Sequence, residues 1–549
     1  MPDKEMDALG REIIEWYAEW NPIYATYIGI HDYDHLLPDS SVETLQKELK
    51  LFKDYKARLK SLKTKDLSPD RRIDRDFLLH AIDLQLFDEE VFRRSECFPS
   101  APSDFGTAIM LLFMRDFAPL PERLSNISSR FTAARKFFDD SKERLKKPVK
   151  LWVQIGAESC HRLQGLLTTI EGAAKNNLHP KDAEALYDTS AKASEAIKDQ
   201  RKWLHETILP KSEERYGMGA KNFNQLLKLR HLGYSKTEIY NLGKKYLNTA
   251  KRELKALAKQ IKPGASIEEV KEMVQQNRPR DFAEALTATA QAMEDGKRFT
   301  IEHDLLTVPT NETLKVTETP DYLRHVMPFA AYMPSARFEK MQQGIYTVTP
   351  VEKDSHELKK HSYPAIWNTA VHEAYPGHHL HNVCAHTNES KARAFIWAVE
   401  TVEGWAHYCE DMMKEYGFHA EPETKFLQTY DTIWRACRIL IDIDLHSGKM
   451  NFDQAVDMLV NEAGMDKVNA VAEVKRYTYN PGYQLSYLLG KHMILELKKH
   501  VKKKMRMKFN DKFFHDTLVY AGLLPMSLIR EIFDYKMEEL GIGSKKARK

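Results

Sequence analysis

The 549-residue sequence lacks any apolar run that is long enough to cross a membrane. Its longest apolar segment, around Ala108 to Met114, is far shorter than the roughly 18 residues that a spanning helix needs. The first ten residues, MPDKEMDALG, are polar and acidic, without the apolar core of a signal peptide. We therefore expect no membrane partner.

Cysteine pairs and a large excess of one charge are also absent. The five cysteines are an odd number and include no C-x-x-C pair, so they predict reduced thiols in a cytoplasmic protein. The 82 lysines and arginines nearly balance the 79 aspartates and glutamates, which leaves a formal net charge of +3. Such a small surplus in a chain of this length argues against a nucleic-acid partner.

The patterning that the sequence does contain is that of a helical globular protein. Apolar residues recur with a period of 3.6 from about residue 69 to residue 260. Between about residues 305 and 350, three short segments are β-branched or aromatic and are separated by prolines: Leu314 to Thr319, Phe329 to Met333, and Gly344 to Thr349. We expect a mainly α protein with a small β-sheet and, because the chain exceeds what one core supports, more than one lobe.

A histidine-rich motif carries the strongest chemical signal. The segment TAVHEAYPGHHLH places four imidazole or carboxyl side chains within eight residues: His372, Glu373, His378 and His379. A second segment, VEGWAHYCE, supplies Glu403, 25 residues beyond His378. Two histidines and a downstream helical glutamate are the ligand pattern of a catalytic zinc, which leaves its fourth position open. Glu373 would then act as the general base on metal-activated water. The alternative is a histidine-rich helix end with ordinary hydrogen bonds.

The spacing of the two histidines is unusual. In the common motif the second histidine follows the first by four residues, but Pro376 occupies that position here. On an ideal helix His378 would lie roughly 240° around and about 9 Å along from His372. Pro376 and Gly377 can absorb two extra residues as a bulge, which would bring His378 to the ligand position. His379 would face the same way as His372 but roughly 10 Å away, so we favour His378 and keep His379 as the alternative.

These motifs resemble those of a known family. The string HEAYPGHH is similar to the signature of the domain of unknown function 885 family, presumed metallohydrolases of bacteria and archaea. EGWAHY resembles the second motif of that family and the EGFA segment of gluzincin aminopeptidases, whose glutamate is the third zinc ligand. The resemblance covers most of the chain, with further matches in residues 22–38, 435–446, 481–490 and 514–525. One departure is Tyr483, where the family usually has glutamine.

Several residues outside the metal motif are candidates for catalysis or substrate binding. On the predicted helix from Glu423 to His446, Arg438 and His446 lie on one stripe with Asp442. Either this stripe is a buried ion-pair network, or Arg438 binds a substrate carboxylate and His446 hydrogen-bonds the oxyanion.

Tyrosines and a further arginine extend the candidate site. Tyr487 is the favoured oxyanion donor, and Tyr483, one turn earlier, is the second choice; either tyrosine could instead be structural. Arg476, in a segment that matches the family, is assigned to substrate binding. Tyr346 lies on the strand that we expect to bind substrate backbone by β-augmentation, unless that strand only stabilises a hairpin. His407 or Glu410 could orient the ligating imidazoles.

Two other histidine-containing segments are weaker candidates for a metal site. His31, Asp32, Asp34 and His35 lie in a turn-rich segment that we interpret as an ordered loop. His356 and His361 frame an H-E-x-x-x-H string, but it lacks an apolar face and runs into a proline that would stop a helix.

Together these patterns predict a zinc-dependent hydrolase with one zinc per chain, bound by His372, His378 and Glu403. Cleavage of peptide bonds in short peptides is the expected reaction, with Glu373 as general base. The alternatives are hydrolysis of a non-peptide amide or ester, and a non-catalytic helical scaffold that has kept the metal. We expect a deep central cleft, with the small sheet next to the metal-binding helix. Residues 1–300 would form a helical scaffold half and residues 301–549 the catalytic half of one integrated unit.

Overall fold

A computed structural model describes residues 2–320, 324, 329–352 and 357–542. These residues form a mainly α-helical structure with one three-stranded sheet, which confirms the predicted fold class. The α-helices are α1 Pro2–Trp20, α2 Pro22–Ile28, α3 Val42–Ser61, α4 Pro69–Leu86, α5 Arg94–Cys97, α6 Ala101–Met114, α7 Leu120–Arg144, α8 Lys150–Asn177, α9 Pro180–Trp203, α10 Ala220–Leu229, α11 Lys236–Ile261, α12 Ile267–Gln276, α13 Phe282–Glu302, α14 Tyr363–Glu373, α15 His378–His386, α16 Val399–Glu415, α17 Pro422–His446, α18 Phe452–Ala463, α19 Lys467–Tyr479, α20 Ser486–Met505, α21 Asp511–Val519 and α22 Met526–Glu539. The strands are β1 Glu312–Glu318, β2 Ala330–Met333 and β3 Gln342–Val348.

Local sequence signals explain where many of these helices begin. Helix α11 starts with a capping box, in which the Ser235 hydroxyl accepts from the Glu238 N–H and the Glu238 carboxylate accepts from the Ser235 N–H. Proline opens α2, α4, α9 and α17, where its missing N–H would have no helical partner. Within the described ranges, no helix is both long enough and apolar enough to cross a membrane.

The sheet has the order β1-β3-β2, so β3 is its central strand. It pairs in parallel with β1, with Leu314 opposite Gly344, and antiparallel with β2, with Tyr332 opposite Tyr346. Both edges of β3 are therefore occupied, and it cannot take up a further strand. The prediction that this strand binds substrate by β-augmentation was wrong, because strand order depends on distant pairing that a local sequence pattern does not contain. Tyr346 is buried in the core and is not among the residues that line the central cavity.

The largest hydrophobic core joins both ends of the chain. Ile14 and Phe77 from the first helices pack in one cluster with Trp405 and Phe533. A second core surrounds α11 and α17, and a third lies among α6, α7, α8 and α9. The division of roles at residue 300 stays a prediction, but the packing is continuous across it.

Two glycines bring the helices of the central region into close contact. A Cβ atom at Gly404 in α16 would overlap the carbonyl carbon of Gly490 in α20, and one at Gly490 would overlap the carbonyl oxygen of Glu400. Because neither residue has a side chain, the two backbones can touch at this crossing. The crossing places Tyr483, just before α20, and Tyr487, in its first turn, near Glu403.

Candidate metal centre

The histidine motif lies on two helices that are separated by a sharp turn. Helix α14 ends at Glu373, α15 begins at His378, and the peptide bond between Tyr375 and Pro376 is cis. The predicted bulge inside one helix was therefore wrong in form: the chain breaks the helix instead. Proline cannot continue a helix, and a Cβ at Gly377 would overlap the carbonyl oxygen of His372. The break still brings His378 beside His372, as the bulge was expected to do.

His372, His378 and Glu403 form a compact set of possible ligand atoms. Their donor atoms all lie within 4.8 Å of one another, and the three residues are buried. The Glu403 Oε2 atom is 3.4 Å from His378 Nε2 and 3.9 Å from His372 Nε2. Ligands at about 2.0–2.1 Å from a tetrahedral zinc would be about 3.3–3.4 Å apart. One separation matches this value, the other exceeds it by about 0.5 Å, and no pair in the set is further apart than 4.8 Å, so the donor set can hold a zinc ion after a small shift of its side chains. In the described part of the chain, no other group of three acidic, histidine or cysteine side chains is this compact.

His379, the alternative ligand, points into a separate buried network. Its Nε2 atom is 2.7 Å from Oε2 of Glu312 on β1, and its Nδ1 atom is 3.1 Å from the Tyr332 hydroxyl. Burial tends to raise the pKa of Glu312, but contacts with His379, Lys297 and Tyr375 outweigh it and lower the pKa to about 2. This ionised carboxylate holds the ring of His379 away from the cluster.

A second set of side chains orients the possible ligands. The Nδ1 atom of His372 lies 2.7 Å from Glu410 Oε1; because an ionised carboxylate only accepts, Nδ1 carries the proton and Nε2 presents its lone pair to the cluster. The Tyr483 hydroxyl donates a 2.7 Å hydrogen bond to Glu403 Oε1. Although burial raises the pKa of Glu403, its contacts with His378, His372 and Tyr483 lower it to about 2, so the carboxylate stays charged. Of the two residues that were expected to orient the ligating imidazoles, Glu410 contacts His372 directly. His407 contacts Glu410 instead, with its Nδ1 atom 3.2 Å from Glu410 Oε2.

The cluster opens into a cavity of about 500 Å³. Glu373 lines this cavity next to the possible ligands, where a general base is required. Tyr483, Tyr487, Arg435 and Arg438 also line it. Trp405, by contrast, is fully buried and donates a 2.8 Å hydrogen bond from Nε1 to the carbonyl oxygen of Pro376, so its role is structural.

Besides Tyr346, two of the predicted site residues do not reach the cavity. His446 is completely buried, stacks on Phe223, and lies 3.0 Å from the carbonyl oxygen of Tyr477 through its Nε2 atom. Burial lowers the pKa of His446 to about 4, so the ring is neutral. The predicted catalytic role of His446 was wrong, because the C-terminal end of α17 packs against α10 and α19. Arg476 is not among the cavity-lining residues and pairs instead with Glu473, so its predicted contact with substrate was also wrong.

The cavity wall contains residues to which sequence reasoning gave no role. Arg435 and Asp431 line it from α17, and Trp397 lies at its edge with 45% of its surface exposed. Arg435 could have been found, since it lies three residues before Arg438 and therefore on the same face of the helix. Trp397 is in an irregular segment just before α16, where no periodic pattern indicates which way a side chain points.

The two weaker candidates for a metal site have different outcomes. The segment after α2 is an ordered loop, as expected, with His31 Nδ1 2.9 Å from Asp34 Oδ2. His356 lies outside the described residues, and His361 is buried against the ring of Phe329.

Two solved bacterial structures share this fold. A presumed lipoprotein of unknown function from Shewanella oneidensis has a TM-score of 0.78 at 20% identity, over 95% of this chain and 98% of the other. A presumed lipoprotein from Colwellia psychrerythraea has a TM-score of 0.84 at 18% identity, over 98% and 100%. A comparison with curated proteins finds no match.

These relatives also correct the predicted localisation. Because both structures are of presumed lipoproteins, the prediction of a cytoplasmic protein was wrong. That prediction depended on unpaired cysteines, but all five thiols are buried in the fold. Buried thiols are inert in any compartment, so their unpaired state does not identify one.

The family resemblance that the motifs indicated is confirmed over nearly the whole chain. The family model described as "Bacterial protein of unknown function (DUF885)" matches residues 22–532. This range includes the histidine motif, the helix that carries Glu403, and both Tyr483 and Tyr487. The chain therefore belongs to the domain of unknown function 885 family.

Proposed function

We propose that this protein is a zinc-dependent hydrolase that cleaves peptide bonds in short peptides. The observation that carries the proposal is the cluster of His372, His378 and Glu403 at the wall of a cavity that Glu373 also lines. A purely structural zinc is closed by four protein ligands, whereas three ligands beside a cavity leave a position for chemistry.

Each of the side chains around the cluster has a distinct task in this proposal. His372, His378 and Glu403 would hold the ion, and Glu410 and Tyr483 orient two of these ligands through hydrogen bonds of 2.7 Å. A zinc ion in this position supplies a Lewis acid, which polarises a carbonyl group and lowers the pKa of water.

The protein's own residues would move the proton and bind the developing charge. Glu373 accepts the proton of the attacking water and delivers it to the leaving amine. Tyr487 donates a hydrogen bond to the carbonyl oxygen as that oxygen gains negative charge. Tyr483 is less suited to this second task, because its hydroxyl already donates to Glu403.

The size and lining of the cavity favour a short peptide as substrate. A volume of about 500 Å³ lies within the range of small-ligand pockets, and helices surround it. Its wall mixes aromatic rings such as Trp434 and Trp397 with amide and guanidinium groups such as Asn368 and Arg438. Such a lining suits the alternation of polar backbone and variable side chains in a peptide.

The proposal is tested by incubating zinc-loaded protein with a panel of short peptides and identifying products by mass spectrometry. We expect cleavage by the wild type, loss of cleavage after chelation and recovery when zinc is restored. Glu373→Gln should keep its zinc and lose about 10²- to 10⁴-fold in kcat. Glu389→Gln, at an exposed position outside the cavity, is the matched control and should cleave like the wild type.

Three outcomes would contradict the proposal. Full activity of Glu373→Gln would show that another group takes the proton. Hydrolysis of simple esters or non-peptide amides without cleavage of any peptide would replace the substrate class. A zinc-loaded wild type that cleaves nothing would favour the non-catalytic scaffold.

A further inference from the structure

Two arginines on one face of α17 form part of the cavity wall. Arg435 and Arg438 both line the cavity, and both are largely buried. Their guanidinium carbons lie 6.0 and 4.5 Å from the ring centre of Tyr487. Since they are one helical turn apart, Arg438 is about 4.5 Å further along the helix axis than Arg435.

The charges around these arginines differ in a way that distinguishes them. Arg435 has two acidic neighbours, with Nη2 3.7 Å from Glu410 Oε1 and Nη1 3.8 Å from Asp431 Oδ2. Among the described residues Arg438 forms one ion pair, with Glu473, and the same Oε2 atom of Glu473 also accepts from Arg476 at 2.7 Å. One carboxylate thus faces two guanidinium groups, so ion pairs neutralise the charge of Arg438 less fully than that of Arg435.

The guanidinium of Arg438 is also held in a fixed orientation. Its Nε atom donates to the Tyr477 hydroxyl and its Nη2 atom donates to Glu473, each at 3.0 Å. The rings of Trp434 and Tyr487 lie on it, with centres 4.0 and 4.5 Å from Cζ. Among the described residues, none accepts a hydrogen bond from its Nη1 atom. A preorganised donor whose charge is incompletely neutralised binds an anionic group at a low cost in entropy.

We propose that Arg438 binds the C-terminal carboxylate of the peptide substrate, so that the enzyme is a carboxypeptidase that releases a short C-terminal fragment. This inference rests on the proposed peptidase function. The carboxylate is the one anionic group that every unmodified peptide carries, whatever its side chains. In the reaction the C–N bond breaks, the hydroxyl of water bonds to the carbonyl carbon, and the proton passes to the leaving amine of the fragment.

The position of Arg438 along the cavity agrees with cleavage near the C-terminus. Arg435 is close to Glu410, which contacts the possible ligand His372 directly. Arg438 lies one helical turn beyond Arg435 along α17, where its contacts are with Tyr477, Glu473, Trp434 and Tyr487 rather than with a possible ligand. An extended residue spans about 3.3–3.6 Å. A carboxylate at Arg438 therefore leaves room for one or a few residues between it and the scissile bond.

The test measures binding by the zinc-loaded Glu373→Gln protein, which does not consume its ligand. One peptide is prepared with a free C-terminus, as the C-terminal amide and as the N-acetylated form. We expect the amide to bind roughly 10- to 100-fold more weakly than the free acid, because a charge-assisted hydrogen bond is lost. N-acetylation should change the Kd little. Adding Arg438→Gln should weaken the acid to the level of the amide, whereas Arg298→Gln, at an exposed position, should keep the difference.

The comparison of acid with amide needs no change at Arg438, so it stands even if Arg438→Gln fails to fold. Equal binding of acid and amide would overturn the inference. Loss of binding on N-acetylation alone would also overturn it and would assign recognition to the N-terminal amine, with Asp431 as its partner. Cleavage of both acid and amide at equal rates by the wild type would leave the peptidase proposal intact while refuting the carboxylate site. A zinc-loaded protein that neither binds nor cleaves any form would refute both.

Discussion

Tyr483→Phe removes the hydroxyl that donates to Glu403 and leaves the ring in place. The hydrogen bond is 2.7 Å long and fixes one oxygen of a carboxylate whose other oxygen lies 3.4 Å from His378 Nε2. Loss of such a partner of a metal ligand typically lowers metal affinity 10- to 100-fold, or about 1.4–2.8 kcal/mol. We therefore expect the zinc Kd of Tyr483→Phe to rise by that factor.

The zinc Kd is measured by competition with a chromophoric chelator at constant pH. Tyr416→Phe is a matched control, because the Tyr416 hydroxyl also donates a 2.7 Å hydrogen bond to a carboxylate, that of Asp511, outside the cavity. The control should bind zinc like the wild type. An unchanged Kd for Tyr483→Phe would refute the orienting role, and a loss of kcat alone would assign Tyr483 to the oxyanion.

Three further predictions concern catalysis, packing and pH. Tyr487→Phe should lower kcat about 10²- to 10³-fold without changing the zinc Kd, as steady-state kinetics and the chelator assay would show; an unchanged kcat would remove Tyr487 from the mechanism. Gly404→Ala should lower the free energy of unfolding by about 2–3 kcal/mol in urea, because the new methyl group meets the backbone of Gly490; a stability equal to the wild type would contradict the close crossing. Burial lowers the pKa of His446 to about 4 and raises that of Asp442 to about 7. When the pH falls from 7 to 5, His446 takes up a proton in the unfolded chain but not in the folded protein, and this destabilises the fold. Over the same range Asp442 takes up a proton in the folded protein but not in the unfolded chain, and this stabilises the fold. These changes, each about 2 kcal/mol, offset one another in the wild type. The free energy of unfolding of His446→Gln should therefore rise by about 2 kcal/mol relative to the wild type as the pH falls from 7 to 5. Urea unfolding that shows the same change with pH for both proteins would contradict this.

Much of the helical fold and the set of possible ligands could be predicted from the sequence because both depend on local signals. Helical periodicity and caps such as Ser235 act within a few residues of the helix that they start. The pairing of His372 with His378 followed from the properties of Pro376 and Gly377, although the chain breaks the helix where a bulge was expected. In these cases the determining interactions lie close together in the sequence.

The misplaced residues depend on interactions between distant segments. The strand that carries Tyr346 was expected to bind substrate backbone, but β1 and β2 close both of its sides. His446 and Arg438 share a stripe of α17, yet the helix passes from the cavity into the core, so that only Arg438 faces the cavity. Arg476 is directed away from the cavity by Glu473. Except for Glu473, which lies three residues before Arg476 on the same helix, these partners are distant in the sequence.

The most direct measurement for the central claim is the zinc content of purified protein after reconstitution, for the wild type, His378→Gln and His379→Gln. The two variants change neighbouring buried histidines, of which only His378 belongs to the cluster with His372 and Glu403. We predict one zinc per chain for the wild type and for His379→Gln, and a loss of zinc for His378→Gln. Zinc retained by His378→Gln, or a wild type that binds none, would contradict the metal centre.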